Sequence, residues 1–130
     1  MRRLHGGSAS EFVNSIQQTS DGGFIVAGYS NSSNTGTLMG LTNNGQNDYW
    51  ILRLNNSGEV IRPKLLGGSN NDDAYSIQQT SDGGFIVAGS SYSSNTGTLT
   101  GLTNNGQNDY WILRLDSRKF YYCEFCNRSI

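Results

Sequence analysis

The stretch Ser15-Ile-Gln-Gln-Thr-Ser-Asp-Gly-Gly-Phe-Ile-Val-Ala-Gly28 returns unchanged as Ser76–Gly89. The copy continues over residues 15–54 and 76–115, always 61 residues apart. Only three pairs of residues differ between the copies: Tyr29/Ser90, Asn31/Tyr92 and Met39/Thr100. Self-similarity at a fixed period indicates a repeat architecture, so one unit can be interpreted for both.

The first half of each unit predicts two strands joined by a tight turn. In the second unit, residues 74–80 alternate, with Tyr75 and Ile77 on one face and the small Ala74 and Ser76 on the other. The Asp82-Gly83 dipeptide then favours a hairpin, with two central residues that accept a positive φ. Residues 85–89 form a short apolar run that is typical of a strand buried on both faces.

The second half predicts a long loop and two more strands. Residues 90–108 carry few apolar side chains, and we expect a long loop or a loosely ordered hairpin extension. Asp109–Leu115 reads as the third strand. In the first unit, the Asn55–Gly58 turn leads to a fourth strand at Glu59–Leu66. Pro63 lacks an amide donor, so this strand belongs at a sheet edge.

Composition and charge exclude several classes of protein. Charged residues make up 15% of the 130-residue chain and the net charge is -1, which gives no electrostatic basis for binding nucleic acid or an anionic membrane. No apolar run approaches the roughly 20 residues that span a bilayer. The first seven residues include two arginines but no apolar segment behind them, so they do not read as a signal peptide.

A small four-stranded sheet cannot bury both of its faces alone. Trp50, Leu52, Leu54, Ile25 and Val26 therefore need a neighbouring layer. Similar sheets stacked around an axis provide one, which is the principle of a β-propeller. A β-solenoid is the alternative, but its repeats are usually shorter and lack Asp-Gly hairpins. We therefore predict an all-β fold of two tandem, four-stranded antiparallel propeller blades, an incomplete propeller per chain.

Three motifs carry a resemblance to a known family. They are Gly-Gly-Ser-x-x-Asp-Asp-x-Ala-Tyr-Ser-Ile from Gly67, Asp-Gly-Gly-Phe-Ile-Val-Ala-Gly from Asp82, and Asp-Tyr-Trp-Ile-Leu-Arg-Leu from Asp109. Together they resemble the bacterial SBBP-type repeats of seven-bladed β-propellers over residues 4–116. That resemblance implies a secreted or cell-surface location and a blade built for packing, and it names no ligand.

The offset of the repeat sets the expected domain boundaries. Residues 1–8 align with 62–69 and would supply part of an outer strand of a preceding blade. Residues 9–69 form blade 1, and residues 70–116 supply the first three strands of blade 2. Residues 117–130 diverge from the pattern and are a possible substitute outer strand. Cys123 and Cys126 lie in this tail, and we interpret them as incidental thiols, because a closed zinc site needs four ligands.

Two interpretations of the incomplete propeller stay open. In one, copies of the chain close a ring, with the N-terminal strand of one completing the sheet of the next. In the other, the chain is a fragment of a longer array, which the divergent tail favours. In both, an isolated chain would expose apolar faces and have marginal stability.

The sequence does not supply a catalytic set, and we predict no enzyme activity, cofactor or metal. His5 is the only histidine and aligns with Leu66, which favours a structural position. Asp21 and Asp82 fit turn positions. The Asn70–Asp73 turn offers oxygen ligands that calcium prefers, but simple turn propensity explains it as well.

Glycan binding is the more specific functional hypothesis. Aromatic side chains beside amides and hydroxyls suit sugars, and such residues recur once per unit. The alternative for the two tryptophans is a place in the core between blades. We predict a non-catalytic binding or structural scaffold, with a propeller enzyme as the less favoured class. The predicted ligand-binding residues are Tyr29, Gln46, Trp50, Tyr92, Gln107 and Trp111.

Overall fold

A computed structural model describes residues 1–117 and confirms the all-β prediction. Two blade-like antiparallel sheets follow one another along the chain, and we call them blade 1, strand order β1-β2-β3-β4, and blade 2, order β5-β6-β7. The strands are β1 (Glu11–Gln18), β2 (Phe24–Ser30), β3 (Asp48–Leu54), β4 (Val60–Leu66), β5 (Asp72–Gln79), β6 (Phe85–Ser91) and β7 (Asp109–Leu115).

The predicted strands match the observed ones closely. β7 has the predicted bounds, β4 begins one residue later than expected, and β6 continues two residues further to Ser91. Pro63 lies in β4, which is the edge of its sheet. The predicted substitute strand at residues 117–130, with Cys123 and Cys126, lies outside the described residues except for Ser117.

The two sheets share one core between them. Blade 1 presents Ile25, Ala27, Tyr49 and Ile51 to blade 2, while Trp111, Leu113 and Leu115 face back from β7. Among the strands of blade 1, β5 packs mainly against β2 and β1, so the first strand of blade 2 lies beside the first two strands of blade 1. The same heptapeptide, Asp-Tyr-Trp-Ile-Leu-Arg-Leu, thus contributes opposite faces to one interface.

The predicted faces of the first strand are wrong because of a β-bulge. Strand alternation would place Ala74 and Ile77 on opposite faces, yet both are buried in the interface with blade 1. The pairing with β6 skips Tyr75, since Ala74 pairs with Gly89 and Ser76 with Ala88. The extra residue shifts the alternation, so Tyr75 points away from the core and is exposed. β1 contains the same bulge between Val13 and Ser15.

The hairpin turn also differs from the expected form. A positive φ occurs at Gly22 and Gly83, while Asp21 and Asp82 have ordinary backbone angles. Each aspartate instead bonds the turn with its side chain, because Asp82 accepts hydrogen bonds from the Gly84 amide and the Thr80 hydroxyl. The amide of Gly83 bonds the carbonyl of Thr80, so a single glycine in the left-handed region closes the turn.

A buried tyrosine joins the two blades. The Tyr49 hydroxyl donates a hydrogen bond of 2.8 Å to the main-chain carbonyl of Trp111, and the two rings lie 4.5 Å apart. Burial raises the pKa of Tyr49, which keeps the hydroxyl protonated as a donor. A Cβ atom at Gly89 would lie 2.1 Å from the Asp73 carbonyl oxygen of the neighbouring strand and 2.5 Å from that hydroxyl oxygen. The glycine is therefore required by the strand pairing within blade 2, and it also leaves room for the tyrosine.

We expect Tyr49→Phe to lower the free energy of unfolding by about 1–2 kcal/mol, because the buried Trp111 carbonyl loses its donor. Urea denaturation followed by tryptophan fluorescence measures the change. Tyr92→Phe is the matched control, since the Tyr92 side chain is half-exposed, and it should cost less than about 0.5 kcal/mol. Equal effects of the two substitutions would contradict this role for Tyr49.

Candidate functional site

The long loop between the second and third strands is ordered by its own residues. The predicted long loop is therefore confirmed, and the alternative of a loosely ordered hairpin extension is wrong. A short 3-10 turn at Gly97–Leu99 directs Leu99 into the core between the blades. Asn95 adopts a positive φ of 52° and its side chain accepts a hydrogen bond from the Gly101 amide. The loop of blade 1 repeats this arrangement with Asn34 and Leu38.

One asparagine ties the two ends of each loop together. In blade 2, the Asn104 side-chain amide donates to the carbonyls of Ser91, Ser93 and Gln107, at 2.9, 3.2 and 3.3 Å. Asn43 makes the corresponding bonds in blade 1, including one of 3.1 Å to the Gln46 carbonyl. The main chain at both glutamines of the predicted site is thus held in place.

An acidic side chain anchors the start of each loop. Asp72, at the beginning of β5, accepts hydrogen bonds from the hydroxyls of Ser91 and Ser93 and from the Gly68 amide. Glu11 holds the corresponding Ser30 and Ser32 in blade 1. Groups of the protein thus occupy the carboxylate of Asp72.

Asn47 connects the loop of blade 1 to the start of blade 2. Its carbonyl accepts a 2.7 Å hydrogen bond from the Asp72 amide, and its own amide donates 3.1 Å to the Asn71 side chain. Its side chain also donates to Asp73 at 3.1 Å. These three bonds hold the loop of blade 1 against residues 71–73 at the start of blade 2.

A polar groove lies between the loops beside this connection. It has a volume of about 460 Å³, and its lining is uncharged, with four amide side chains around one tyrosine. Blade 1 contributes one of the lining residues, and the linker and blade 2 contribute the rest. We call this the inter-blade groove, and its residues are Gln46, Asn70, Asn71, Tyr92, Gly106 and Gln107.

Three of the six predicted ligand-binding residues meet in the inter-blade groove. Gln46 and Gln107 both line the groove, and both are exposed. Tyr92 follows β6 and its ring is half-exposed. Its amide is bonded to the Asn71 carbonyl at 2.9 Å, which fixes its main chain at the groove.

The other three predicted residues lie elsewhere. Trp111 is buried against Tyr49 between the blades, and Trp50 is buried with Leu52 and Leu54 on the far face of blade 1. Tyr29 stacks on Phe12, with ring centroids 4.8 Å apart. Burial, followed by the charge of Asp73, raises the pKa of Tyr29. Trp111 thus occupies the core position between the blades that the sequence allowed as the alternative, whereas Trp50 is buried on the face of blade 1 away from blade 2.

Sequence reasoning missed Asn70 and Asn71 as residues of the groove. They were assigned to a turn, and their proximity to Gln46 depends on how the two blades pack. The sequence did contain a difference that pointed to them, since the aligned positions in the first unit are Ala9 and Ser10, which have no amide side chains. The two units therefore differ in amide content at this place.

Asp48, at the start of β3, is a buried carboxyl close to the groove. Its Oδ2 accepts a 2.7 Å hydrogen bond from the Asn44 amide, but its buried Oδ1 has no hydrogen-bond partner within residues 1–117. Burial raises the pKa of Asp48 to about 7, and the nearby charge of Asp72 adds to the effect. Gly67 passes between the two carboxyls, where a side chain would collide with Asp48.

Across residues 1–117, no three or more His, Cys, Asp or Glu side chains gather where they could hold a metal ion. His5 lies 3.0 Å from the carbonyl of Gly58, at the side of blade 1 away from blade 2. No helix in this part of the chain is long and apolar enough to cross a bilayer.

A comparison of the chain with protein-family models and with curated proteins returned no match. The geometry of the groove therefore carries the functional argument.

The raised pKa of Asp48 predicts a pH-dependent stability. The folded pKa of about 7 exceeds the unfolded value of 3.8, so the folded state binds more protons between these values. The free energy of unfolding should therefore fall as the pH rises from about 4 to 7, by at most about 4 kcal/mol from this group. Burial raises the pKa of Asp72 and Asp73 as well, which adds to the same trend.

Urea denaturation at several pH values measures this slope. Asp48→Asn should reduce it, whereas Asp109→Asn, the aligned and more exposed carboxyl in blade 2, should retain it. A slope that is unchanged by Asp48→Asn would contradict the assignment.

Proposed function

We propose that the chain is a non-catalytic propeller module that binds carbohydrate in the inter-blade groove. The observation that carries this proposal is the combination of one half-exposed tyrosine with four amide side chains in a single uncharged groove. A ligand suited to it presents many hydroxyl groups and little charge. A neutral glycan has that chemistry.

The chemistry of the lining supports a sugar over an apolar ligand. Each amide side chain offers both donors and an acceptor, so Gln46 and Gln107 can donate hydrogen bonds to sugar hydroxyls and accept hydrogen bonds from them. The ring of Tyr92 adds an apolar surface with a polar end, which suits the C–H face of a sugar ring. A groove that contained only aliphatic side chains would lack the polar groups that orient a hydroxylated ligand.

The uncharged lining also supports a binding role over catalysis. General acid–base catalysis requires a titratable group within hydrogen-bond reach of the reacting bond. The residues that line the groove are amides, a glycine and a tyrosine. The nearby carboxylate of Asp72 is occupied by Ser91, Ser93 and Gly68. The carboxyl of Asp48 is fully buried and is not among the groups that line the groove.

The packing of the blades supports a structural role in the same molecule. Two sheets with repeated faces form a rigid support for short loops, and binding residues on such loops are well positioned. The resemblance to SBBP-type repeats makes a secreted or cell-surface location part of this proposal. An array of such blades would display the groove outside the cell.

A glycan array probed with the full chain, followed by titration of the best ligand, tests the proposal. Tyr92→Asn installs the residue that the first unit has at Asn31, so it changes the groove to a sequence the fold already contains. We expect it to weaken binding about tenfold, because the aromatic contact is lost. Gln107→Ala should weaken binding as well.

Asn31→Ala is the matched control, because Asn31 is exposed and does not line the inter-blade groove. It should leave the affinity unchanged. Release of reducing ends from a bound glycan would contradict the non-catalytic assignment. Binding that survives Tyr92→Asn and Gln107→Ala would place the site elsewhere, and a chain that binds no glycan would leave a purely structural scaffold.

A further inference from the structure

The outer faces of the two blades are not covered by the opposite blade. On blade 2, Tyr110 and Ile112 are 92% and 61% exposed, although the aligned Tyr49 and Ile51 of blade 1 are fully buried. On blade 1, Ile16 is 62% exposed, although the aligned Ile77 is buried. Each exposed residue is thus identical to one that is buried in the interface between the blades, which we call the internal joint.

The two outer faces repeat the two halves of that joint. The blade 2 face carries Tyr110, Ile112 and Arg114, the same residues that blade 1 presents to blade 2. The blade 1 face carries Trp50, Leu52 and Leu54, the same residues that blade 2 presents in return. These three are already buried within the single chain, and the apolar residues exposed beside them are Phe12, Val13 and Ile16. One molecule therefore contains both halves of a second, similar joint, but on surfaces that point in opposite directions.

The blade 1 face also contains the opening that a tyrosine requires. Gly89 makes room for the Tyr49 hydroxyl in the internal joint, and the aligned residue in blade 1 is Gly28. Gly28 lines a cavity of about 320 Å³ on the outer face of blade 1, together with Trp50, Leu52 and Ile16. The Trp50 carbonyl corresponds to the Trp111 carbonyl that accepts the hydrogen bond from Tyr49.

Three polar contacts beside the first strands can be duplicated, whereas the 2.8 Å bond from the Asn14 side chain to the Ala74 carbonyl cannot, because Tyr75 aligns with Asn14. In the internal joint, the Ile77 amide donates to the Ser15 hydroxyl at 3.3 Å and the Gln79 amide donates to the Gln17 side chain at 3.0 Å. The Ser20 amide donates to the Gln79 side chain at 2.8 Å. The corresponding pairs for a second joint are Ile16 with Ser76, Gln18 with Gln78, and Ser81 with Gln18.

We propose that the outer face of blade 2 binds the outer face of blade 1 of a second copy of this chain. Tyr110 enters the space beside Gly28 of the second copy, and its hydroxyl bonds the carbonyl of Trp50. Arg114 lies over the ring of Phe24, as Arg53 lies 5.7 Å from the centroid of the Phe85 ring. The contact is heterologous, so copies join head to tail and form a ring or an extended chain.

A cavity at the edge of blade 2 also favours a second copy of this chain as the binding partner. A cavity of about 390 Å³ beside β7 is lined by Asn105, Asp109 and Trp111, among others. In blade 1, the corresponding place beside Asp48 holds Gly67, whose carbonyl accepts a 3.2 Å hydrogen bond from Asn44. Gly6 of the second copy aligns with Gly67 and would fill this cavity when the faces meet.

The new joint would differ from the internal one in its groove. Asn31, Ala9 and Ser10 of the second copy would stand where Tyr92, Asn70 and Asn71 line the inter-blade groove. Assembly would therefore present one tyrosine-containing groove per chain, not one per blade. Self-association does not depend on the glycan proposal, and the two can fail separately.

Two single-face variants of the full chain test the proposal. Ile112→Glu places a charge on the blade 2 face, and Ile16→Glu places one on the blade 1 face; both positions are exposed, so each chain should fold. Met39→Glu is the control, since Met39 is an exposed apolar residue whose aligned Thr100 stays exposed beside the internal joint. Sedimentation velocity and light scattering give the masses, and circular dichroism verifies folding.

We expect the unmodified chain and Met39→Glu to form oligomers, and each single-face variant to be a monomer on its own. An equimolar mixture of the two variants should form a heterodimer, because the unchanged blade 1 face of the Ile112→Glu chain can bind the unchanged blade 2 face of the Ile16→Glu chain. The mixture should not grow further, because the other two faces would place two glutamates against each other. Tyr110→Phe, which adds no charge, should weaken self-association about tenfold.

Three results would overturn the proposal: an unmodified chain that is monomeric at 100 μM, a single-face variant that dimerises alone, or a mixture that stays monomeric. The first would mean that another segment or a different protein covers these faces. The second would indicate a symmetric contact between like faces.

Discussion

The hydrogen bond from the Tyr49 hydroxyl to the Trp111 carbonyl joins two sheets whose second and third strands have nearly the same sequence. It requires a glycine at position 89, a ring on the inner face of β3 and a carbonyl at the facing position of β7. Because a repeat supplies all three parts in every unit, each blade carries both the tyrosine and the opening for one. The joint between blades is thus encoded in the repeat itself.

The inter-blade groove is a consequence of that joint. Once the sheets are stacked, the Asn47 connection brings the loop of blade 1 beside the Asn70-Asn71 turn. The side-chain hydrogen bonds of Asn43 and Asn104 then fix the main chain at Gln46 and Gln107, which line the groove. The units differ at Asn31 and Tyr92, so two nearly identical repeats still produce one distinctive surface at the groove.

Much of the fold could be predicted from local patterns, and much of the site could not. The apolar run of residues 85–89, the Asp-Gly turns and Pro63 placed the strands and the sheet edge correctly. The bulge at Tyr75 escaped prediction because its effect on burial depends on cross-strand pairing with Ala88 and Gly89. Gln46, Tyr92 and Gln107 were chosen for their chemistry and do meet in one groove. Asn70 and Asn71 were missed because their positions depend on the stacking of two sheets, and the loop was underestimated because Asn104 acts through three main-chain carbonyls.

The most direct measurement is a nuclear Overhauser spectrum of the full chain, with the aromatic rings assigned. Direct contact between the blades predicts cross-peaks from the Tyr49 ring to the Trp111 ring and to the α-protons of Gly89, because the two rings lie 4.5 Å apart. If these cross-peaks are absent while β2 and β3 still show their mutual contacts, the blades fold without stacking. That result would contradict both the internal joint and the groove built on it.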